Sequence, residues 1–373
     1  MPQMEADSGN MFAVKLALQQ RVLPAYRAPF IDLLSRSCGG GLSVFAGLPR
    51  ADEMIRSAEG LDYAVWEPAG NRHIFTGDWY LLWQRGIVDW LNLYQPDVLI
   101  LEANPRYLSN RSALSWMHSR GRPVIGWALG APEARGLMAP IRRFLRTDHL
   151  RRFDALIAYS TRGADEYRAL GIPSERVFTA FNAVATAPAQ QPGRERIGAR
   201  MPRVLFVGRL QRRKRLDLLL MACAHLDREV ELVIVGDGPA RDEFQDLAKN
   251  CFPQAQFVGE AYGERLRSWF EWADVFVLPG TGGLAVQQAM TAGLPVIVAE
   301  GDGTQADLVA SGNGWLVTPG DQTQLTETLR DALGDPDELL KRGKLSYDLS
   351  LERFNIEAMV AVFLNAIRMV MDK

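Results

Sequence analysis

Short apolar segments alternate with longer helix-like segments along almost the whole chain. Each apolar segment is short enough for a single strand, and most of them end at Gly, Pro, Asn or Ser. The segments are 14–19, 42–46, 98–101, 124–127, 155–159 and 177–180 in the first half, and 204–207, 231–235, 256–258, 275–278 and 295–299 in the second. This alternation is typical of βαβ units, which form a parallel sheet covered by helices on both faces. The sequence therefore predicts an α/β fold.

Residues 185–200 interrupt the alternation. They are rich in Ala, Pro, Gln, Gly and Arg and show no periodicity, as expected of a linker. We therefore predict two doubly wound, Rossmann-like domains, 1–190 and 191–350, that face each other across a ligand-binding cleft. Residues 351–373 are predicted to form a C-terminal helix that can pack back on the N-terminal domain. Its apolar face carries Ile356, Met359, Val360, Phe363, Ile367 and Val370.

Composition excludes several classes of protein. With 373 residues, 47% of them hydrophobic, the chain can fill the cores of two domains. The net charge of −2 argues against a nucleic-acid-binding protein, which would carry a strongly basic domain. Cys38, Cys223 and Cys251 lie far apart, so neither a disulfide framework nor a zinc site is expected. Residues 1–10 are acidic, and no apolar run is long enough to span a bilayer, so we expect a cytoplasmic protein.

A glycine-rich loop joins the strand predicted at 275–278 to a helix that begins at Leu284. The loop reads Pro279-Gly280-Thr281-Gly282-Gly283. Glycines let the backbone approach a ligand closely, and the bare amides at a helix start attract anions. The loop is therefore a candidate phosphate-binding site, and the alternative is a glycine-rich turn without a ligand.

The same loop can be interpreted as a dinucleotide fingerprint. Gly280 and Gly282 fit its glycine positions, and Glu300, at the end of the next strand, stands where an acid would hold an adenosine ribose. That pattern would indicate an NAD(P)-dependent oxidoreductase. The fingerprint should open a sheet, however, and here three strand-like segments precede it in the same half.

Five blocks of the second half resemble family 4 glycosyltransferases in their order and approximate spacing. The blocks are Val207-Gly208-Arg209-Leu210 with Lys214, Val235-Gly236-Asp237-Gly238-Pro239, Phe257-Val258-Gly259, Ala273-Asp274-Val275-Phe276-Val277-Leu278-Pro279, and Ala289-Met290-Thr291-Ala292-Gly293-Leu294-Pro295-Val296. The resemblance implies the GT-B fold, with an acceptor-binding first domain and a second domain that binds a UDP- or GDP-linked sugar donor. It also implies metal-independent transfer with retention at the anomeric carbon and no cofactor.

The resemblance also assigns residues to the donor site. Arg209 and Lys214 match the Arg and Lys that the family keeps on the diphosphate, so they are the candidate catalytic residues. Fixed cations of this kind neutralise the charge that develops on a departing nucleotide. The remaining donor-binding candidates are Gly208, Gly259, Gly280, Thr281, Gly282, Gly283, Leu284 and Gln288.

The chain departs from the family pattern at three positions. The family usually carries a glutamate on the donor sugar and another on the nucleotide ribose, and these places hold Gly280 and Gln288 here. Gln288 can still hydrogen-bond a ribose hydroxyl through its amide. Sugar recognition is then predicted to rest on the backbone amides of 281–284, with the Thr281 hydroxyl. A histidine that the family commonly keeps in the first domain is replaced by Leu129, so no catalytic base is assigned.

Two features of the first half bear on the acceptor. Tyr26 and Arg27 follow the first strand, and Trp127 ends another, so these three are the acceptor-binding candidates. Residues 141–153 combine five arginines with apolar residues, as in a helix that lies on an anionic lipid surface. A soluble surface helix with its apolar side in the core would show the same pattern.

The sequence thus predicts a glycosyltransferase that moves a sugar from a nucleotide donor to a glycan or lipid-linked acceptor in polysaccharide or glycoconjugate assembly. Two alternatives stay open. The first is the oxidoreductase that would use Gly280, Gly282 and Glu300. The second is a catalytically silent nucleotide-sugar-binding subunit, which would explain the lost glutamates and histidine.

Overall fold

A computed structural model describes residues 12–372 except 51–52, 54, 76, 78–79, 134–135, 137, 191, 194–196, 199 and 310–311. Residues 1–10 and parts of the predicted linker therefore lie outside the described residues. The chain forms two compact units: residues up to 181 with those from 356 onward, and residues 182–355. The boundaries between the units, 181/182 and 355/356, differ from the predicted domain boundaries, 190/191 and 350/351. Residues 185–190 belong to the second unit because they line a groove with its helices.

The first unit contains a seven-stranded parallel sheet in its described residues. The strands of this unit are β1 (Leu16–Val22), β2 (Leu42–Gly47), β3 (Val65–Pro68), β4 (Gly70–Ile74), β5 (Leu81–Arg85), β6 (Val98–Glu102), β7 (Val124–Ala128), β8 (Ala155–Ala158) and β9 (Val177–Thr179). β4 and β5 form a separate antiparallel hairpin, and the other seven strands form the sheet. The order in the sheet is β3-β2-β1-β6-β7-β8-β9. The order reverses between β1 and β6, where such sheets form a crevice for ligands.

The second unit contains a six-stranded parallel sheet, again counted in the described residues. Its strands are β10 (Arg203–Val207), β11 (Glu231–Val235), β12 (Gln256–Gly259), β13 (Val275–Leu278), β14 (Val296–Ala299) and β15 (Gly314–Val317). The order is β12-β11-β10-β13-β14-β15. Its reversal point lies between β10 and β13. Both strands are apolar and almost fully buried, as a parallel sheet covered on both faces requires.

Helices connect the strands of both sheets. In chain order they are α1 (Ala28–Arg36), α2 (Ile87–Tyr94), α3 (Ser109–His118), α4 (Ala139–Arg151), α5 (Thr161–Ala169), α6 (Leu216–Ala224), α7 (Arg241–Cys251), α8 (Gly263–Trp272), α9 (Leu284–Thr291), α10 (Thr304–Val309), α11 (Gln322–Gly334), α12 (Pro336–Glu352) and α13 (Ile356–Met371).

The C-terminal helix α13 belongs to the first unit. It begins at Ile356 rather than 351, because α12 continues to Glu352. All six residues of its predicted apolar face are buried, and the Phe363 ring lies 4.9 Å from the Phe30 ring of α1. The stretch Pro336–Met371 meets the length and hydropathy of a membrane span, but half of its most apolar window is buried. We therefore interpret α13 as a core helix.

The strands β3, β4 and β5 were not predicted. β3 and β4 carry polar and charged residues and have no buried position, and β5 buries only two of its five residues, so these strands lack the continuous apolar signal of the other strands. The first strand was predicted at 14–19 but spans Leu16–Val22, and its end was predicted three residues early because Gln20 and Arg21 look polar. Gln19 and Gln20 are nevertheless buried inside β1.

Candidate functional site

Two loops of the second unit meet at the point where the strand order reverses. β10 pairs with β13 through Val204 and Val275, and both strands run in the same direction. The segments that follow them, 208–214 and 279–283, therefore leave the same edge of the sheet side by side. This edge is where a doubly wound sheet binds its ligands.

The segment after β10 is held by two glycines of the segment after β11. The Leu210 amide donates to the Asp237 carbonyl at 2.8 Å, and the Ala240 amide donates to the Leu210 carbonyl at 3.0 Å. A Cβ atom at Gly236 would overlap the Gly208 carbonyl, and one at Gly238 would lie 2.5 Å from the Leu210 carbonyl oxygen. The sequence blocks 207–210 and 235–239 thus interlock, and Gly236 and Gly238 leave the space that this packing needs.

A short 3₁₀ helix, Arg212–Lys214, packs on the glycine-rich loop. The Thr281 amide donates to the Arg213 carbonyl at 3.1 Å, and the Arg213 guanidinium donates to the Thr281 hydroxyl at 3.1 Å. A Cβ atom at Gly280 would lie 2.5 Å from the Lys214 Cα and closer still to the Arg213 carbonyl oxygen. Gly280 therefore has no room for a side chain, and backbone fills the space that the resemblance assigns to a sugar-binding glutamate.

The Lys214 ammonium lies against Gly282. This glycine has a φ of 131°, which favours glycine, and a Cβ atom there would overlap the Lys214 Nζ. Burial, reinforced by Arg213, lowers the Lys214 pKa from 10.5 to about 8, against the opposing effect of Asp302. An anion at this loop would raise the Lys214 pKa again, because an opposite charge favours the charged form.

Sequence reasoning missed Gln305, which fixes the back of the loop. This fully buried side chain accepts hydrogen bonds from the amides of Gly301 (3.2 Å) and Asp302 (3.1 Å). It donates to the Gly282 carbonyl at 3.1 Å. The signal in the sequence was the polar run 301–305 directly after a buried strand, where parallel sheets place functional loops.

The other donor candidates are distributed as follows. Arg209 is half-buried, two residues after the end of β10, and Leu284 is the first residue of α9. Gly259 ends β12 and accepts a hydrogen bond from the Gly236 amide at 2.8 Å, so it lies beside the interlocked segments. Gln288 lies one turn beyond Leu284 and lines a groove of about 770 Å³ with residues 185–190 and part of α8.

The three acceptor candidates of the first unit have different environments. Tyr26 is 42% exposed, whereas Arg27 is only 4% exposed and lies 4.5 Å above the Trp127 ring. Trp127 is fully buried between the rings of Phe30 and Phe363. Trp127 thus offers no surface for stacking on a ligand in this conformation, and its ring supports Arg27.

The segment in which the family commonly keeps a histidine packs on α5. A Cβ atom at Gly163 would overlap the Leu129 carbonyl oxygen, and the Ala131 amide donates to Glu166 at 2.8 Å. The Leu129 side chain is 39% exposed. Within the described part of the chain, no group of three His, Cys, Asp or Glu residues is arranged to hold a metal ion.

The first half of α4 exposes apolar and basic residues together. Ile141, Phe144 and Leu145 are 52%, 70% and 54% exposed, and Arg142 and Arg143 are exposed beside them. The second half of the predicted segment behaves differently, because its apolar residues are buried. Residues 141–145 therefore form a basic, apolar surface patch, which we call the α4 patch.

Comparison with known proteins finds a family match in the second unit. Residues 190–347 match the family Glycosyl transferases group 1. The matched residues make up most of the second unit. This match covers the interlocked segments, the glycine-rich loop, Lys214 and Gln305.

Relatives that match a longer part of the chain are also named as glycosyltransferases. The chain is 27% identical to a D-inositol 3-phosphate glycosyltransferase of Xylanimonas cellulosilytica, over 84% of this chain and 74% of the relative. It is 30% identical to a GDP-mannose-dependent alpha-mannosyltransferase of Corynebacterium glutamicum, over 64% of this chain and 59% of the relative.

The fold is shared with a solved structure, Anabaena HepE in complex with UDP and glucose. That structure is 16% identical, has a TM-score of 0.69, and the match covers 95% of this chain and 99% of the other. The predicted GT-B fold, with two Rossmann-like sheets, is confirmed.

Proposed function

We propose that the chain is a family 4 glycosyltransferase that transfers a sugar from a nucleotide donor to a glycan or lipid-linked acceptor, with retention of anomeric configuration. The observation that carries the proposal is the Lys214 ammonium against Gly282, at the start of α9 in a glycosyltransferase group 1 domain. The role would lie in polysaccharide or glycoconjugate assembly.

The donor diphosphate would bind at the glycine-rich loop. Transfer breaks the bond between the anomeric carbon and the diphosphate oxygen, so negative charge develops on the departing nucleotide. Lys214 and Arg209 neutralise that charge, and the amides of Gly282, Gly283 and Leu284 add hydrogen bonds at the positive end of α9. These cations and amides would take the place of a metal ion. As the family resemblance implies, the departing phosphate itself would take the proton of the acceptor hydroxyl.

The second unit would bind the donor and the first unit the acceptor. Gln288 is assigned to the ribose, with Gly208 and Gly259 shaping the nucleotide side of the site. In the first unit Tyr26 would contact the acceptor, and Arg27, held on the Trp127 ring, would position the Tyr26 segment. Relatives whose names include GDP-mannose, and a solved neighbour that holds UDP, support a GDP- or UDP-linked donor.

The protein would work in the cytoplasm, at the inner face of the membrane. Its three cysteines are free thiols, which suits a reducing compartment. The α4 patch combines large exposed apolar side chains with two exposed arginines, so it suits the apolar and anionic layers of a lipid surface. This contact would bring the enzyme to a lipid-linked acceptor.

The oxidoreductase alternative loses support from the position of the loop. The glycines follow β13, which comes after β10, β11 and β12 in the same sheet, whereas a dinucleotide fingerprint follows the first strand. The silent-subunit alternative keeps one observation in its favour, because Gly280 has no room for a glutamate. Turnover, rather than binding, separates that alternative from an enzyme.

A thermal-shift panel tests the proposal. Wild-type protein is heated with UDP-glucose, GDP-mannose, further UDP- and GDP-sugars, and NADH. A ligand at 100 times its dissociation constant adds about 2.7 kcal/mol to the free energy of unfolding, so a true donor raises the melting temperature measurably. We expect a shift with at least one nucleotide sugar and none with NADH. A shift with NADH alone would contradict the proposal.

A further inference from the structure

The glycine-rich loop lacks a carboxylate where a glycosyltransferase of this family would use one on the donor sugar. The loss cannot be repaired at position 280, since the backbone of residues 213–214 fills the space of a side chain. A carboxylate stands on the neighbouring loop instead. It belongs to Asp302, between β14 and α10.

The Asp302 loop packs directly along the glycine-rich loop. A Cβ atom at Gly301 would lie 3.4 Å from the Thr281 Cα, which is ordinary packing distance. A Cβ atom at Gly283 would lie 3.2 Å from the Thr304 hydroxyl oxygen. Residues on both sides of Asp302 therefore touch the loop where the diphosphate and sugar would lie.

Buried Gln305 fixes the register between the two loops. Its side-chain oxygen accepts from the Asp302 amide, and its side-chain nitrogen donates to the Gly282 carbonyl. One rigid amide thus bridges Asp302 and Gly282 at 3.1 Å on each side. A bridge of this kind holds a functional carboxylate in place better than an untethered surface loop would.

The Asp302 carboxylate has one oxygen committed and one available. Oδ1 accepts from the Thr304 amide at 3.2 Å and from the Thr304 hydroxyl at 2.6 Å. In the part of the chain that the structure describes, Oδ2 makes no hydrogen bond, and the residue is exposed. Asp302 also interacts electrostatically with Lys214, so the carboxylate lies near the cation assigned to the diphosphate.

We propose that Asp302 supplies, from the neighbouring loop, the carboxylate that accepts hydrogen bonds from the hydroxyl groups of the donor sugar. The inference rests on the proposed function, because it assumes a nucleotide-sugar donor at this site. It also narrows the donor class. A carboxylate beside the sugar accepts hydrogen bonds from a neutral sugar with free hydroxyls and repels a sugar acid, so neutral hexosyl donors are expected.

Asp302 has a second role that a test must separate from sugar binding. Its Oδ1 bonds hold the start of α10, and a truncated side chain would release that turn. Asn and Ser keep such a bond to a helix start nearly as well as Asp does. The variants Asp302→Asn and Asp302→Ser therefore remove the charge and keep the local fold. Asp321→Asn is the matched control, because Asp321 accepts from the Gln324 amide at the start of α11 and lies outside the loops described here.

The measurement is calorimetric binding of a nucleoside diphosphate and of the corresponding nucleotide hexose to full-length protein. The nucleotide is the one that shifts the wild-type melting temperature. We expect Asp302→Asn and Asp302→Ser to bind the diphosphate as the wild type does, and to bind the nucleotide hexose roughly 10- to 100-fold more weakly, as expected when hydrogen bonds to a charged group are lost. Asp321→Asn should change neither affinity.

Three results would overturn the inference. The first is unchanged affinity for the nucleotide hexose in both Asp302 variants. The second is an equal loss of affinity for the diphosphate and for the nucleotide hexose, which would mean that the substitutions disturb the loop rather than remove a contact with the sugar. The third is a wild type that prefers a nucleotide uronate to the neutral hexose. A wild type that binds no nucleoside diphosphate at all would instead refute the proposed function, so the two failures are distinguishable.

Discussion

Replacing Lys214 by methionine should stabilise the free protein and weaken donor binding. Methionine fills a similar volume without the charge. Burial lowers the Lys214 pKa from 10.5 to about 8. Each pKa unit corresponds to about 1.4 kcal/mol, so holding the ammonium here without an anion costs at most about 3.5 kcal/mol. Water that reaches the half-buried side chain reduces this cost, and we expect Lys214→Met to add about 1 kcal/mol to the free energy of unfolding at pH 7.

The sign of the pH dependence follows from the same pKa. The unfolded chain binds a proton at Lys214 up to about pH 10.5, whereas the folded chain releases it near pH 8. Between these values the unfolded state holds more protons, so the stability of the free wild type gains a contribution as pH rises. Lys214→Met should lack this contribution. Urea unfolding of both proteins at pH 7, 8 and 9.5 measures it.

Donor binding should respond in the opposite direction. A diphosphate needs the charged ammonium, so wild-type affinity for UDP or GDP should be constant below pH 8 and fall above it. Lys214→Met should bind the diphosphate roughly 10- to 100-fold more weakly at pH 7 and show no fall above pH 8. The control is Lys249→Met, at an exposed lysine paired with Asp246 in the same unit. A Lys214→Met protein that is less stable and binds the diphosphate normally would refute the reasoning.

Three further changes test other parts of the site. Gly280→Glu introduces the glutamate of the family pattern but should weaken donor binding at least tenfold, since no side chain fits against residues 213–214. Donor binding is measured by calorimetry, and the control is Gly334→Ala, because a Cβ atom at Gly334 would lie in open space. Gln288→Ala should raise the donor Michaelis constant roughly three- to tenfold and change turnover much less, because a neutral hydrogen bond contributes about 0.5 to 1.5 kcal/mol in ground and transition states alike. An unchanged Michaelis constant would show that Gln288 does not contact the ribose. Phe144→Ser should lower binding to anionic vesicles roughly tenfold in a flotation assay, whereas Leu93→Ser, at an apolar residue of α2 that is 84% exposed, should not. An equal loss of vesicle binding in both variants would show that the α4 patch is not the membrane-binding surface.

The sheets were predictable because their central strands are short, apolar and buried. In the second unit the predicted segments 231–235 and 275–278 coincide with β11 and β13. The start of α9 at Leu284 was also predicted, because three glycines mark the end of the loop before it. Buried strands of this kind depend on local sequence, so a single sequence reveals them.

The packing between loops was not predictable, because it depends on residues far apart in sequence. Nothing near Gly280 in the sequence shows that residues 213–214 fill the space of its side chain. Gln305 gives no local sign that it bridges Asp302 to the glycine-rich loop. Arg215 is a similar case: it takes a left-handed φ of 53°, and its guanidinium donates to the Asp217 carboxylate at 2.9 Å.

The most direct test of the account is nuclear magnetic resonance of the first sugar product. Full-length protein is mixed with an α-linked nucleotide hexose that stabilises it, with acceptor extract and with EDTA present. We expect nucleoside diphosphate to be released, the transferred sugar to appear first as the α-anomer, and Lys214→Met to release at least roughly 100-fold less diphosphate. A first product of β configuration would contradict retention. If the wild type releases no diphosphate from any nucleotide sugar, with or without metal, the chain is not the enzyme proposed here.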